Sequence, residues 1–108
     1  MATYNGEKYL KEQLDSILKQ IKSSDELIIS DDGSTDLTCS IIKEYQKEYK
    51  NIYLIDGPKM GVQKNFENAL IKSKGDIIFL SDQDDIWMDN KVDVVLDAFQ
   101  NPNVVLTL

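Results

Sequence analysis

The alternation of short, continuously apolar runs with longer amphipathic stretches is the feature that most constrains how this chain can fold. The apolar runs are Leu27-Ile28-Ile29, Ile52-Tyr53-Leu54-Ile55, Ile77-Ile78-Phe79-Leu80 and Val104-Val105-Leu106. Because polar residues do not alternate within them, these runs are typical of strands that are covered on both faces, as in a parallel sheet. The pattern therefore predicts an α/β fold, a doubly wound and mostly parallel sheet with helices on both faces.

The amphipathic stretches between the runs are predicted to be helices. They cover about residues 7–21, 36–49, 62–73 and 89–99, and each has an apolar stripe at helical spacing. Asn5 is predicted to cap the first helix, and Ser34, Thr35 or Asp36 the second. Only Met1-Ala2-Thr3 are available for a strand before the first helix, so the first strand is expected to be largely missing. Residues 1–108 are thus interpreted as a single, partial domain.

The composition excludes several classes of function. The chain has 19 acidic and 12 basic residues and a net charge of −7, which argues against nucleic acid and anionic membrane surfaces as partners. It has no histidine, which excludes an imidazole base and any histidine-ligated metal. The lone cysteine, Cys39, fits a reducing compartment. We expect a cytoplasmic location, with membrane association of a full-length protein left open.

A first polar cluster, Ser30 to Asp36, follows the first apolar run. The carboxyl ends of the strands are the edge where open α/β sheets bind ligands. A strand–turn–helix junction explains Gly33 and the residues after it equally well. Two adjacent carboxylates, Asp31 and Asp32, repel each other at the end of a buried strand, so they are expected to need a cation or hydrogen-bond donors from a ligand.

A second cluster follows Leu80 and contains Asp82, Asp84 and Asp85. Hard divalent cations such as Mg²⁺ and Mn²⁺ prefer oxygen ligands of this kind. The alternative is a solvated acidic loop. Because solvated turns rarely concentrate this much like charge beside a core strand, a metal site is the favoured interpretation.

Two further segments are ambiguous by themselves. Gly57-Pro58-Lys59-Met60-Gly61 leads into a predicted helix whose first turn contains Lys64, and an ordinary loop with a surface lysine explains it best. Thr3-Tyr4-Asn5-Gly6 is explained by a turn with a helix cap.

Taken in order, these motifs resemble the family 2 glycosyltransferases of the GT-A fold. The resemblance rests on Met1 to Gly6, ELIISDDGSTD (residues 26–36), Gly61 to Asn65 and GDIIFLSDQDDIW (residues 75–87). It spans the whole chain and covers the nucleotide-sugar-binding, N-terminal half of such enzymes. The SDQDDIW form is similar to bacterial rhamnosyltransferases, which implies a donor sugar linked to dTDP or UDP.

The resemblance implies a role for each matching residue. Tyr4 would lie against the nucleobase with Thr3 supporting that corner, Asp32 would contact the base, and Asp31 would sit beside it. Lys64 stands where the family often has an arginine near the phosphates. The Asp-X-Asp position is filled by Asp82, Gln83 and Asp84: Asp84 would bind Mg²⁺ or Mn²⁺, and Asp82 and Gln83 would lie near the ribose or the metal.

The resemblance also implies the reaction, an inverting and metal-dependent transfer of a sugar to a hydroxyl of a saccharide or lipid-linked acceptor. The catalytic base of the family is a carboxylate in its C-terminal half, and no residue here matches it. Two other interpretations stay open, a receiver-like phospho-accepting signalling module and an inactive fragment. The receiver needs a lysine at the end of a late strand, which residues 104–108 do not supply. A homodimer is one way to cover exposed sheet edges.

Overall fold

A computed structural model of the chain describes residues 1–73, 81, 88, 91–93 and 96. Its elements in chain order are β1 (Ala2–Thr3), α1 (Glu7–Leu18), β2 (Leu27–Asp31), α2 (Thr38–Glu48), β3 (Ile52–Asp56) and α3 (Val62–Lys72). Residues 91–93 and 96 are helical, as expected for the fourth amphipathic stretch. The remainder of that helix and the strands predicted over residues 77–80 and 104–106 lie outside the described residues.

The three strands form a parallel sheet in the order β1-β2-β3. The register places Thr3 beside Asp31 and Asp31 beside Asp56. All three strands therefore end at the same edge of the sheet. The predicted α/β class is confirmed, and the expected remnant of a first strand is the two-residue β1.

The helices lie on both faces of the sheet. Alternate side chains of a strand point to opposite faces, and Leu27 and Ile29 of β2 share one apolar core with α1 and α2. The side chains at the centre of that core are fully or almost fully buried, namely Leu10, Leu14, Ile17, Ile29 and Ile42. Burying each such side chain contributes roughly 1.5–3 kcal/mol, so this face supplies most of the apolar stabilisation of the described fold.

The other face of the sheet carries α3, which is held by polar contacts. Ser30 of β2 donates to Asn65 Oδ1 at 2.6 Å and accepts from Asn68 Nδ2 at 2.9 Å. Asn65 Nδ2 also donates to the carbonyl of Thr3 at 3.2 Å, and Asn68 Nδ2 to that of Asp56 at 2.9 Å. The start of α3 is thereby tied to the carboxyl ends of all three strands.

Two glutamines, Gln13 of α1 and Gln20 just after it, contact the chain beyond α3. Gln13 Nε2 donates to Ser81 Oγ at 2.9 Å, a buried contact. Gln20 Nε2 donates to the carbonyl of Met88 at 2.6 Å, and its Oε1 accepts from the Val92 amide at 2.8 Å. Since Ser81 precedes and Met88 follows residues 82–87, α1 and the turn after it contact the chain on both sides of the acidic motif.

Two local predictions were wrong. The run at β3 was expected to be covered on both faces, yet Tyr53 is 51% exposed, because β3 is an edge strand of the described sheet. Asn5 does not cap α1: Gly6 is the N-cap residue, while Asn5 adopts a φ of 49° and its Oδ1 accepts from the Thr35 amide at 2.8 Å. No helix in the described ranges is both long and apolar enough to cross a membrane.

Candidate functional site

The loops that follow β1 and β2 are joined by hydrogen bonds at the carboxyl edge of the sheet. The Asn5 amide donates to Ser34 Oγ at 2.9 Å, and the Gly6 amide to Thr38 Oγ1 at 2.9 Å. Asp36 accepts from the amides of Glu7 and Thr38, at 3.2 and 2.9 Å, so one carboxylate serves the first turns of both α1 and α2. These contacts fix the Thr3-to-Gly6 corner against the segment that follows Asp31.

Asp31 is buried, and its carboxylate is occupied by the protein itself. Its Oδ1 accepts from Thr3 Oγ1 at 2.7 Å and from Ser34 Oγ at 2.6 Å. Its Oδ2 accepts from the amides of Gly33 and Ser34 at 3.1 and 2.8 Å. The expectation that the Asp31–Asp32 pair needs a ligand was therefore wrong for Asp31, because the loop it opens supplies the donors.

The ionisation of Asp31 follows from these contacts. Burial alone would raise its pKa, but the hydrogen bonds from Ser34, Thr3 and Cys39 outweigh that effect and hold the pKa below its usual value. The neighbouring thiol responds in the opposite sense: burial, and then the Asp31 carboxylate, raise the pKa of Cys39 to about 11. Asp31 is thus a permanent anion at neutral pH with a structural set of partners.

Asp32 is placed differently, at the wall of a cavity. Its amide donates to the carbonyl of Thr3 at 3.0 Å, and its Oδ1 accepts from the Lys59 amide at 2.6 Å. Gly57 lies just behind: a Cβ there would come within 2.6 Å of Asp32 Oδ1 and 2.5 Å of Asn65 Oδ1. The glycine is needed for this close approach.

The cavity has a volume of about 430 Å³ and lies between the carboxyl ends of β1 and β2 and the start of α3. It combines an aromatic ring, a carboxylate and an ammonium group with backbone and small side chains. Its lining is Ala2, Thr3, Tyr4, Asp32, Gly33, Lys59, Gly61, Val62 and Asn65. A planar polar ring with hydrogen-bonding edges matches this set of groups, since pockets of this size hold small ligands with a few placed polar contacts.

The structure brings together some of the predicted site residues and separates others. Thr3, Tyr4 and Asp32 line the cavity, whereas Asp31 lies behind its wall. Lys64 does not line it: this side chain is exposed, and its Nζ lies 3.2 Å from Glu67 Oε2 on the surface of α3. The predicted role of Lys64 near the phosphates stays a prediction.

The predicted metal ligands, Asp82 and Asp84, and their neighbour Gln83 lie outside the described residues. Within the residues that the structure covers, no group of three or more Asp, Glu or Cys side chains is arranged to hold a metal ion.

The sequence interpretation missed Lys59 and Gly61, which were assigned to an ordinary loop. Both line the cavity, together with Val62 and Asn65. The signal that points to them is positional, because their segment follows the carboxyl end of β3 at the edge where ligands bind. Lys59 has a further distinguishing feature, a positive φ of 58°, which is rare for a residue with a side chain.

Comparison with known proteins gives a consistent result. The profile of the family described as glycosyl transferase family 2 matches residues 1–108. The dTDP-rhamnosyl transferase RfbG of Shigella flexneri is 43% identical over 113 residues, covering 95% of this chain and 38% of that protein. A dolichyl-phosphate beta-glucosyltransferase of Trichomonas vaginalis is 33% identical over 90 residues, covering 75% of the chain and 28% of that protein.

A solved structure has the same fold. The crystal structure of Staphylococcus aureus TarS residues 1–349 superimposes with a TM-score of 0.81 at 27% identity, covering 92% of this chain and 30% of that one. The same protein in complex with UDP gives a TM-score of 0.76 at 23% identity, covering 98% of this chain and 36% of that one. The chain thus spans about a third of the length of the proteins it matches. These likenesses favour the glycosyltransferase interpretation over a receiver-like module.

Proposed function

Because the chain belongs to glycosyl transferase family 2, we propose that its cavity binds the nucleotide of a nucleotide-diphosphate sugar. The observation that carries the proposal is the meeting of Tyr4 and Asp32 in one cavity at the carboxyl edge of a parallel sheet. A complete enzyme that contains this domain would transfer the sugar to an acceptor hydroxyl.

The lining residues have distinct parts in this proposal. The ring of Tyr4, which is 51% exposed, offers an apolar face on which a base can stack. Asp32 Oδ1 is engaged by the Lys59 amide, and its other oxygen is the acceptor for a base N–H group. Thr3 is buried and fixed to Asp31, so it supports the corner that carries Tyr4.

The nucleotide is proposed to be UDP or dTDP. Both have a base with an N–H group between two carbonyls, which suits a carboxylate acceptor. The relative from Shigella flexneri is named for dTDP-rhamnose transfer, and TarS has been solved with UDP. Either base can make the proposed contacts with the described side chains. Binding experiments therefore have to determine the nucleotide and the sugar separately.

We further propose that the reaction is metal-dependent and inverting. The carboxylates of Asp82 and Asp84 are the donor set that Mg²⁺ or Mn²⁺ prefers, and such an ion would neutralise charge on the departing diphosphate. An acceptor hydroxyl, deprotonated by a base outside these 108 residues, would attack the anomeric carbon from the face opposite the nucleotide. The acceptor is proposed to be a saccharide or a lipid-linked saccharide, and the location cytoplasmic. A homodimer that covers the sheet edges is part of the same proposal.

Calorimetry of UDP and dTDP binding, each with and without Mn²⁺, tests this function. Asp32→Asn is the informative variant, because its amide oxygen still accepts from the Lys59 amide while the NH₂ group cannot accept from a base. We expect it to lower nucleotide affinity by roughly tenfold or more. The matched control is Asp56→Asn, at the end of β3 and outside the cavity lining. Folded wild-type protein with negligible heat in all four mixtures would refute the proposal.

The metal is tested separately with Asp84→Ala. We expect this variant to lose the gain in affinity that Mn²⁺ gives and to keep the affinity measured without metal. An unchanged gain would remove Asp84 from the proposal and leave base binding intact. Sugar transfer by a longer protein but not by residues 1–108 would identify this chain as a binding domain without turnover.

A further inference from the structure

Lys59 is the one cation and Asp32 the one anion among the described residues that line the cavity. The two are linked directly, since the Lys59 amide donates to Asp32 Oδ1 at 2.6 Å. No carboxylate in the described part of the chain forms an ion pair with the Lys59 ammonium. The cavity wall thus presents a carboxylate oxygen and an ammonium group that the contacts of the described residues leave available to a ligand.

The backbone of Lys59 is held in a costly conformation. Its φ of 58° is left-handed, which costs a residue with a Cβ about 1–2 kcal/mol. Strain of this kind tends to be kept where it positions a functional group. Here the side chain lies over the turn that follows Asp32: a Cβ on Gly33 would come within 2.9 Å of Lys59 Cε and 3.6 Å of Nζ.

Lys64 offers a direct contrast. It is the lysine that the family resemblance selects, yet it lies on the exposed surface of α3, where it forms an ion pair with Glu67 at 3.2 Å. Lys64 is absent from the cavity lining, while Lys59 and Asn65 are present.

From these contacts, and resting on the proposed function, we infer that Lys59 is a specificity-determining residue that reads the base of the nucleotide. Asp32 accepts from the N3–H group of uracil or thymine. Lys59, which lines the same cavity, donates from Nζ to a carbonyl oxygen adjacent to N3. The cavity therefore presents both an acceptor and a donor, which complement the donor and acceptor that adjoin on this edge of the base.

A lysine at such a cavity has a competing use, which is contact with the phosphates. The two uses differ in what they require of the ligand. A contact with the base affects uridine and UDP equally, because both have the same base. A phosphate contact affects UDP alone, since uridine has no phosphate.

The experiment measures uridine and UDP affinity by NMR titration of the wild-type chain, Lys59→Met and Lys64→Met. Methionine keeps an unbranched stem over Gly33 and the amide that donates to Asp32, so the variant is expected to fold. We expect Lys59→Met to weaken uridine and UDP by the same factor, on the order of tenfold. The matched control, Lys64→Met, is expected to leave uridine affinity unchanged.

Analogues with sulfur in place of one carbonyl oxygen identify the contacted atom, because sulfur is a weaker acceptor. We expect one of the two analogues, 4-thio-UDP or 2-thio-UDP, to bind the wild-type chain more weakly than UDP does. For that analogue, Lys59→Met should cause a smaller further loss of affinity than it causes for UDP. Such non-additivity is the coupling expected of two groups that contact each other.

Three outcomes would overturn the inference. The first is that Lys59→Met weakens UDP binding and leaves uridine binding unchanged. The second is that Lys59→Met behaves as Lys64→Met does. The third is that the effects of Lys59→Met and of the sulfur substitution are fully additive for both thio analogues. In each of these, binding of UDP to wild type leaves the proposed function standing. Wild-type protein that binds neither UDP nor dTDP would remove both.

Discussion

Thr3 Oγ1 donates to Asp31 Oδ1 at 2.7 Å, which joins the ends of two neighbouring strands that are 28 positions apart in the chain. This contact fixes the relative position of the corner that carries Tyr4 and the turn that carries Asp32. The Asp31 carboxylate also accepts from two amides and the Ser34 hydroxyl, so one buried anion organises the carboxyl edge of the sheet.

The first prediction is that acid destabilises the fold through Asp31. Its pKa in the folded chain lies below the usual 3.8, so the carboxylate contributes stability at and above that value. As the pH falls from there through the folded pKa, the unfolded chain binds the proton first and that stability is lost. Urea denaturation between pH 7 and pH 2.5 measures this loss.

Asp31→Asn is the control for that pH dependence. It turns an amide NH₂ group toward the donors that surround Asp31, so at pH 7 we expect a loss of about 1–3 kcal/mol in unfolding free energy. The difference from wild type should shrink at acid pH, because protonated Asp31 also loses acceptor capacity. A difference that stays constant down to pH 2.5 would contradict the assignment of the low pKa to Asp31.

The second prediction concerns Cys39, whose pKa is raised to about 11 by burial and by Asp31. Compared with a thiol at the usual pKa of 9.0, the thiolate fraction at pH 8 is roughly a hundredfold lower. Alkylation by iodoacetamide should therefore be slow in folded protein and fast in urea. Asp31→Asn should speed it up in the folded state, because it removes the adjacent negative charge. Equal rates in folded and unfolded wild type would refute this.

The third prediction concerns Gln20, which bonds both the Met88 carbonyl and the Val92 amide. Gln20→Leu removes both contacts and is expected to cost about 1–2 kcal/mol in stability. Hydrogen exchange at the Val92 amide should accelerate more than the global loss explains.

Gln46→Leu is the matched control for Gln20. Gln46 is also half-buried, and it donates to the carbonyl of Ile52 at 3.1 Å. This substitution should lower stability without a specific effect on Val92. If both variants change Val92 exchange by the same factor, Gln20 does not anchor that segment.

The fourth prediction separates stability from binding at Lys59. Lys59→Gly relieves the left-handed backbone, worth about 1–2 kcal/mol, but adds backbone entropy to the unfolded chain, worth about 0.5–1 kcal/mol. The variant should therefore be as stable as wild type or slightly more so, while its affinity for UDP falls. Thermal denaturation and calorimetry on the same sample check both parts. A stable variant with wild-type affinity would show that the Lys59 side chain has no part in binding.

Much of the fold follows from local sequence pattern. The run at β2 is buried along all five residues, and α3 begins at Val62 as predicted, because apolar periodicity and a preceding glycine are local signals. The exposure of Tyr53 could not be predicted, since a continuous apolar run does not reveal whether its strand has a neighbour on both sides.

The candidate site was harder to predict because it depends on contacts between distant loops. The sequence singles out Asp31 and Asp32 equally. Only the folded loop shows that the hydroxyls of Thr3 and Ser34 donate to the Asp31 carboxylate, whereas Asp32 lines the cavity. In the same way, the choice between Lys59 and Lys64 depends on the backbone turn between β3 and α3, which composition does not encode.

The measurement that tests the central claim most directly is an NMR map of amide shifts on addition of UDP or dTDP. If the cavity binds the nucleotide, the largest shifts will fall on the amides of Tyr4, Gly33, Lys59 and Gly61, and Asp32→Asn will weaken the titration. A folded chain in which these amides stay unchanged at saturating nucleotide, or in which the largest shifts fall on α2, would contradict the account.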